Sequence, residues 1–163
     1  RFDLLEPQPG QVHIEDIAHA LAKLDRYGGH LPMHYSVAQH SLVVAEHCPP
    51  ELALMGLLHD ATEAYVGDML TPIKQLLPDY VRIEGRIWRA VARRFGLPLE
   101  PDPRIKHIDR RVLVAEVQQL MPQPLPDWRA KFDVPLLPVR ITPWPWQHAE
   151  RVFLDRYTAL ATT

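Results

Sequence analysis

Apolar residues in the first third of the chain recur at helical spacing, and polar residues interrupt them at a few definite places. Ile14, Ile17, Ala18, Leu21 and Leu24 follow the three-, four- and seven-residue offsets of an amphipathic helix. Gly28-Gly29 marks its stop, with Arg26-Tyr27 at its end. Ser36 is placed to N-cap a second helix through Val37, His40, Val44 and Cys48, which Pro49-Pro50 end. A third helix is expected from about Glu51 to Ala64. Its middle, Leu54, Met55, Leu57 and Leu58, is apolar nearly all round, the pattern of a helix at the centre of a domain. Gly67 breaks it and Thr71-Pro72 restarts a short helix. Longer helices are predicted over 78–95, ended by Gly96 and Pro98, and over 103–121. A last one runs from about Trp146 to Leu160.

Two stretches lack this periodicity. Residues 1–12 carry Pro7, Pro9 and Gly10 and read as an irregular lead-in. Seven of the 17 prolines fall in 122–145, which therefore cannot be regular helix and reads mostly as surface loop. Long apolar alternation is absent, leaving room only for a short strand pair near 131–141. No repeat is visible. The pattern predicts a single all-α domain over 1–163, a helical bundle with a proline-rich loop before its C-terminal helix.

Composition narrows the function classes. A net charge of −2 over 163 residues argues against a nucleic acid polymer as partner, while a small anionic ligand needs only a few local cations. The single cysteine, Cys48, excludes an intramolecular disulfide and fits a reducing, cytoplasmic setting. It also excludes a cysteine-rich zinc site, so any metal must be held by some of the nine histidines and by carboxylates. No apolar run reaches the roughly 18 residues that span a bilayer, and no signal-peptide pattern opens the chain, so no membrane partner is expected.

His59 and Asp60 follow directly on the apolar run Leu54–Leu58. Burying polar groups there costs roughly 1–3 kcal/mol each unless they find partners. Neighbours on a helix diverge by about 100°, so both reach one point only from the side, as a metal between helices would allow. Glu63, four residues after His59 and three after Asp60, lies on the same face. By itself a His-Asp dipeptide is weak evidence.

The string His59-Asp60-Ala61-Thr62-Glu63-Ala64-Tyr65-Val66-Gly67-Asp68-Met69-Leu70-Thr71-Pro72-Ile73-Lys74 carries more. It resembles the core signature of HD-domain phosphohydrolases, most closely the 5′-deoxynucleotidase branch and small HD proteins of phages and prophages. Upstream, Val37-Ala38-Gln39-His40-Ser41-Leu42 matches the segment supplying the first ligand histidine. Downstream, Ile105-Lys106-His107-Ile108-Asp109 matches the place of the final ligand aspartate. The resemblance covers about two-thirds of the chain, from Ile14 to the end of the 103–121 helix.

The resemblance implies an HD-domain fold with His40, His59, Asp60 and Asp109 as metal ligands. Two imidazoles and two carboxylates suit one divalent transition metal, Mn2+, Co2+, Fe2+ or Zn2+, better than Ca2+. It implies Asp60 and Glu63 as the catalytic pair, Glu63 orienting water and shuttling its proton, a reading favoured over that of an ordinary solvated helix residue. Arg26 matches a phosphate-contacting arginine, against the alternative of capping helix carbonyls. Tyr27 stands where the bacterial deoxynucleotidases usually carry Trp, which leaves base or sugar selection open. Asp68 matches a sugar-hydroxyl contact, or else caps the turn after Gly67. Lys74 is a second phosphate contact or a solvated surface lysine.

The implied activity is release of phosphate from a deoxynucleoside 5′-monophosphate. The alternatives are a deoxynucleoside triphosphate triphosphohydrolase and a catalytically idle HD domain that binds nucleotide. Self-association into a homo-oligomer is implied by the resemblance alone. His30 and His34 are candidates for lining or supporting the site, while His13, His19, His47, His107 and His148 read as surface or capping residues. Trp144-Pro145-Trp146 reads as a packing anchor for the last helix.

Overall fold

Helix forms where apolar spacing predicts it, and the departures gather at the polar residues. In the computed structural model, which describes residues 2–122 and 133–162, α1 spans Ile14–Lys23 and buries Ile17, Ala18, Leu21 and Ala22. Helix α2 spans Val37–His47, and the Ser36 hydroxyl accepts from the Gln39 amide at 3.1 Å, the N-cap expected of it. Later in the chain α6 spans Pro78–Phe95 and α7 spans Pro103–Leu120, the latter capped by the Asp102 carboxylate at 2.8 Å from the Arg104 amide. Helix α8, Trp146–Ala161, closes the chain. The architecture is all-α. Among the described residues the only β pairing is an isolated antiparallel bridge between Asp25 and Ser36. None of their helices is long and apolar enough to cross a membrane.

The third predicted helix is not continuous. A 3-10 turn at Pro50–Leu52 leads into α3, Ala53–Leu58, and a separate short α4 covers Glu63–Val66. Between them the Ala61 amide donates to Leu58 O and the Glu63 amide to Asp60 O, both at 3.0 Å and both spaced three residues apart. This tightening lets His59 and Asp60 turn toward one point instead of diverging. Gly67, at φ 83°, ends α4 in a conformation that suits glycine, and α5, Thr71–Lys74, follows.

The central position is shared. Every residue of α2 from Val37 to Ala45 is buried, including the polar Gln39, His40 and Ser41, and α3 buries all but Leu54 of its six. Helix α2 packs against α1, α3, α7 and α8, so a polar side chain on it faces other helices, not water.

The first helix also ends earlier than Gly28-Gly29. It stops at Lys23, and Arg26–Gly29 form a 3-10 turn beyond it, tied by the Asp25–Ser36 bridge and by the Arg26 amide donating to Tyr35 O at 2.9 Å. Arg26 is therefore a loop residue, not a helix end. In the proline-rich segment, residues 123–132 lie outside the described residues, and 133–145 form neither helix nor strand. The strand pair expected near 131–141 is absent from its described part, because side-chain amides take the place of a partner strand. Gln119 donates to Val139 O at 2.9 Å and accepts from the Ile141 amide at 3.0 Å. Gln39 donates to Thr142 O at 2.8 Å and accepts from the Trp144 amide at 2.9 Å. Trp146 anchors α8 on α1, with the Lys23 ammonium 4.6 Å from its ring centroid and His19 edge-on at 5.6 Å.

Candidate metal centre

Two helices and one turn meet at His40. Helix α2 delivers this imidazole fully buried, the turn after α3 delivers His59 and Asp60, and α7 delivers Asp109. One ligand atom each from His40, His59 and Asp109 lies within 4.8 Å of the other two, a group able to hold a metal ion. Asp60 joins them, its Oδ2 3.2 Å from His59 Nε2 and 3.6 Å from His40 Nε2. Asp109 Oδ1 lies 3.1 Å from His40 Nε2. The four residues singled out as ligands thus converge.

Hydrogen bonding sets which face each imidazole turns inward. His59 Nδ1 donates to Gly56 O at 2.7 Å, and His40 Nδ1 donates to Glu116 Oε1 at 2.6 Å. With the proton on Nδ1, both ε nitrogens carry a lone pair, and the groups nearest them are carboxylates, which in their charged form have no proton to donate. A buried acceptor without a donor is costly. Two of them pointing at two carboxylates form the donor set a divalent transition cation takes, so the residues present fit a metal.

Without a cation, protons must balance the charge. Burial and the Arg26 guanidinium oppose protonation of His40, yet Glu116 and Asp109 outweigh them and lift it to about 9. Burial likewise opposes charge on Asp60, but His59, His40 and Arg26 hold it below the usual carboxylate range.

Glu63 and Asp68, both partly buried, lie within electrostatic reach of Asp60 and Arg26. Glu63 Oε2 is buried without a hydrogen-bond partner among the described residues, and burial, then Asp60 and Asp68, push its carboxyl well above the usual range. The Asp68 carboxyl is also raised, by burial first, and it senses Arg26, Asp60 and His40. Lys74 reaches α6 instead, its Nζ 2.6 Å from Glu84 Oε1, and it still acts on Glu63 and Asp68 through its charge.

Arg26 is buried with its guanidinium between two acids. Its Nη2 lies 3.1 Å from Glu116 Oε2, and its Nη1 lies 3.8 Å from Asp60 Oδ2. The helix-capping alternative drops out, since Arg26 ends no helix. The Tyr27 hydroxyl donates to Glu116 Oε2 at 2.7 Å, which leaves only its ring for a ligand. Of the two supporting histidines, His34 Nε2 donates to Ala22 O at 2.9 Å and steadies the loop, while His30 is exposed.

Two residues escaped the sequence reading. Glu116, fully buried, accepts from Arg26, Tyr27, Tyr35 and His40, and Arg26 and His40 hold it down to about 2 against the effect of burial. Tyr35, also fully buried, donates to it at 2.9 Å. The one available signal was spacing: Glu116 is seven residues after Asp109 and so shares its face of α7.

The chain is similar to the uncharacterized protein YfdR of Escherichia coli, at 36% identity over 92% of this chain and 85% of YfdR. It is also similar to an uncharacterized protein of Rhodobacter capsulatus, at 45% identity over 60% of this chain and 55% of that protein. No protein-family model matches it.

Proposed function

This chain belongs to the family of YfdR, and from the geometry of its centre we propose that it is an HD-type, metal-dependent phosphohydrolase that releases phosphate from deoxynucleoside 5′-monophosphates. The observation that carries the reading is the pair of buried ε nitrogens of His40 and His59 turned toward the carboxylates of Asp60 and Asp109, with no neutral hydrogen-bond donor against them among the described residues. His40, His59, Asp60 and Asp109 would hold the metal, one of Mn2+, Co2+, Fe2+ or Zn2+. When bound, such an ion supplies Lewis acidity toward a phosphoryl oxygen and toward water.

The chain's own residues do the rest. Glu63 Oε2, lacking a hydrogen-bond partner among the described residues and with a raised proton affinity, is the group that exchanges a proton with the attacking water. Arg26 offers its Nη1 edge to a phosphate oxygen, while Glu116 holds the other edge in place. Asp68 accepts from a sugar hydroxyl. A monophosphate fits this charge balance better than a triphosphate. Of the two cations matched to phosphate contacts, Arg26 keeps its Nη1 edge toward the centre while Lys74 is held by Glu84, so a second phosphate contact from Lys74 would have to break that pair.

Protein loaded with Mn2+ or Co2+ is expected to release orthophosphate from deoxynucleoside monophosphates, and Asp60→Ala to lose both bound metal and activity. Release that survives EDTA and this substitution overturns the reading. Tripolyphosphate from a deoxynucleoside triphosphate moves the substrate to that class, and tight nucleotide binding without turnover makes the domain a sensor.

A further inference from the structure

Glu116 sits behind the metal-ligating face, and its two oxygens serve different partners. Oε1 accepts from His40 Nδ1 at 2.6 Å and from the Tyr35 hydroxyl at 2.9 Å. Oε2 accepts from Arg26 Nε at 3.2 Å and Nη2 at 3.1 Å, and from the Tyr27 hydroxyl at 2.7 Å. No part of this carboxylate is exposed, so these partners take the place of the water it gave up.

We infer that Glu116 is the positioning residue of the centre, one carboxylate that fixes the His40 tautomer through one oxygen and aims the Arg26 guanidinium through the other. The inference rests on the metal-centre reading above. An imidazole can present Nε2 to a cation only if Nδ1 carries its proton, and an acceptor held against Nδ1 enforces that choice. Glu116 Oε1 is that acceptor. An arginine in a buried loop needs a fixed counter-charge to keep one orientation, and Glu116 Oε2 supplies it. The same rigid group therefore sets the distance between a metal ligand and the residue offered to substrate phosphate.

Charge is not the only requirement, and an isosteric change separates the two roles. Glu116→Gln keeps the shape but turns one oxygen into an amide donor. Arg26 has no lone pair to offer that donor and cannot give up its proton, whereas His40 can exchange tautomers. The amide NH2 of the variant must therefore face His40, moving the ring proton to Nε2 and covering the ligand atom. A carboxylate serving only as a counter-ion for Arg26 would leave the His40 proton where it is.

The test reads the His40 tautomer by long-range 1H–15N NMR, in metal-free protein at alkaline pH where the ring is neutral. It is paired with Zn2+ affinity by chelator competition. Wild type is expected to show Nδ1–H and Glu116→Gln to show Nε2–H, with Zn2+ affinity falling 10–100-fold. Should the Gln variant not fold, Glu116→Asp keeps the charge but withdraws it by one methylene, and the same loss is expected with the fold retained. Unchanged tautomer and Zn2+ affinity in a folded variant overturns the inference. If wild type binds no divalent metal, the functional reading fails, and the tautomer alone still decides the role of Glu116.

Discussion

Gly56 O accepts the Nδ1–H of His59 at 2.7 Å, and the same glycine lies tight against Ala45 of α2 and against Cys48. A Cβ at this position would lie 2.6 Å from Cys48 Sγ and 3.3 Å from the Ala45 Cα. Close helix packing and orientation of a metal-centre imidazole therefore depend on one residue. Gly56→Ala must turn the Cys48 side chain aside and ease α3 away from Ala45, and the expected cost is about 1–3 kcal/mol with a shift of the carbonyl that holds His59. Urea unfolding should show the stability loss, and Zn2+ titration of the folded fraction a weaker site.

Glu63 invites the opposite expectation for stability. Its carboxyl has a raised proton affinity and a buried oxygen without a partner among the described residues. Glu63→Gln removes the possibility of a buried charge while keeping the shape, so the melting temperature should hold or rise. Turnover should fall by about 10²–10⁴-fold, the usual contribution of a proton-transfer group. A variant that lost stability and kept its rate would show Glu63 to be structural.

Metal binding should release protons. His40 is lifted from 6.5 to about 9 in the metal-free protein, and a cation needs its neutral form. Apparent affinity should therefore rise with pH up to about 9, and calorimetry in buffers of different ionisation enthalpy should count the released proton.

The same shifts set the pH dependence of metal-free stability. A raised His40 contributes stability that is complete below 6.5 and lost as pH rises through about 9. A lowered Glu116 contributes stability that is complete above 4.5 and lost as pH falls through about 2. Denaturant midpoints of the metal-free protein should decline on both sides, and Glu116→Gln should flatten the acidic limb.

Tyr27→Phe distinguishes a selecting residue from a supporting one. Its hydroxyl is bound to Glu116, so removing it costs about 1.5–3 kcal/mol, typical of a hydrogen bond to a charged group. The order of preference among nucleotide bases should not change. A reordered preference, measured across the common deoxynucleotides, would return Tyr27 to the substrate side.

Local signals are those the sequence determined by itself. Apolar spacing placed the start of α1 and both ends of α2, α6, α7 and α8 to within a residue or so, because each buries a continuous stripe whose period is visible along the chain. The candidate ligands were legible for a different reason. A His-Asp pair after an apolar run is weak by itself, and it was the resemblance of the 59–74 string and of the segments around His40 and Asp109 to HD-domain proteins that implied the set.

Tertiary structure decided the rest, where long-range partners override local pattern. The helix expected through His59 breaks there, because convergence on one point outweighs one more helical turn. The proline-rich strand pair is missing from the described residues because Gln39 and Gln119 satisfy that backbone from elsewhere. Glu116, an ordinary acid in the middle of α7, gains its place only when α2 brings His40, with Arg26 in the loop before it, against it. A carboxylate with partners 76 and 90 residues away leaves no mark in the pattern around it.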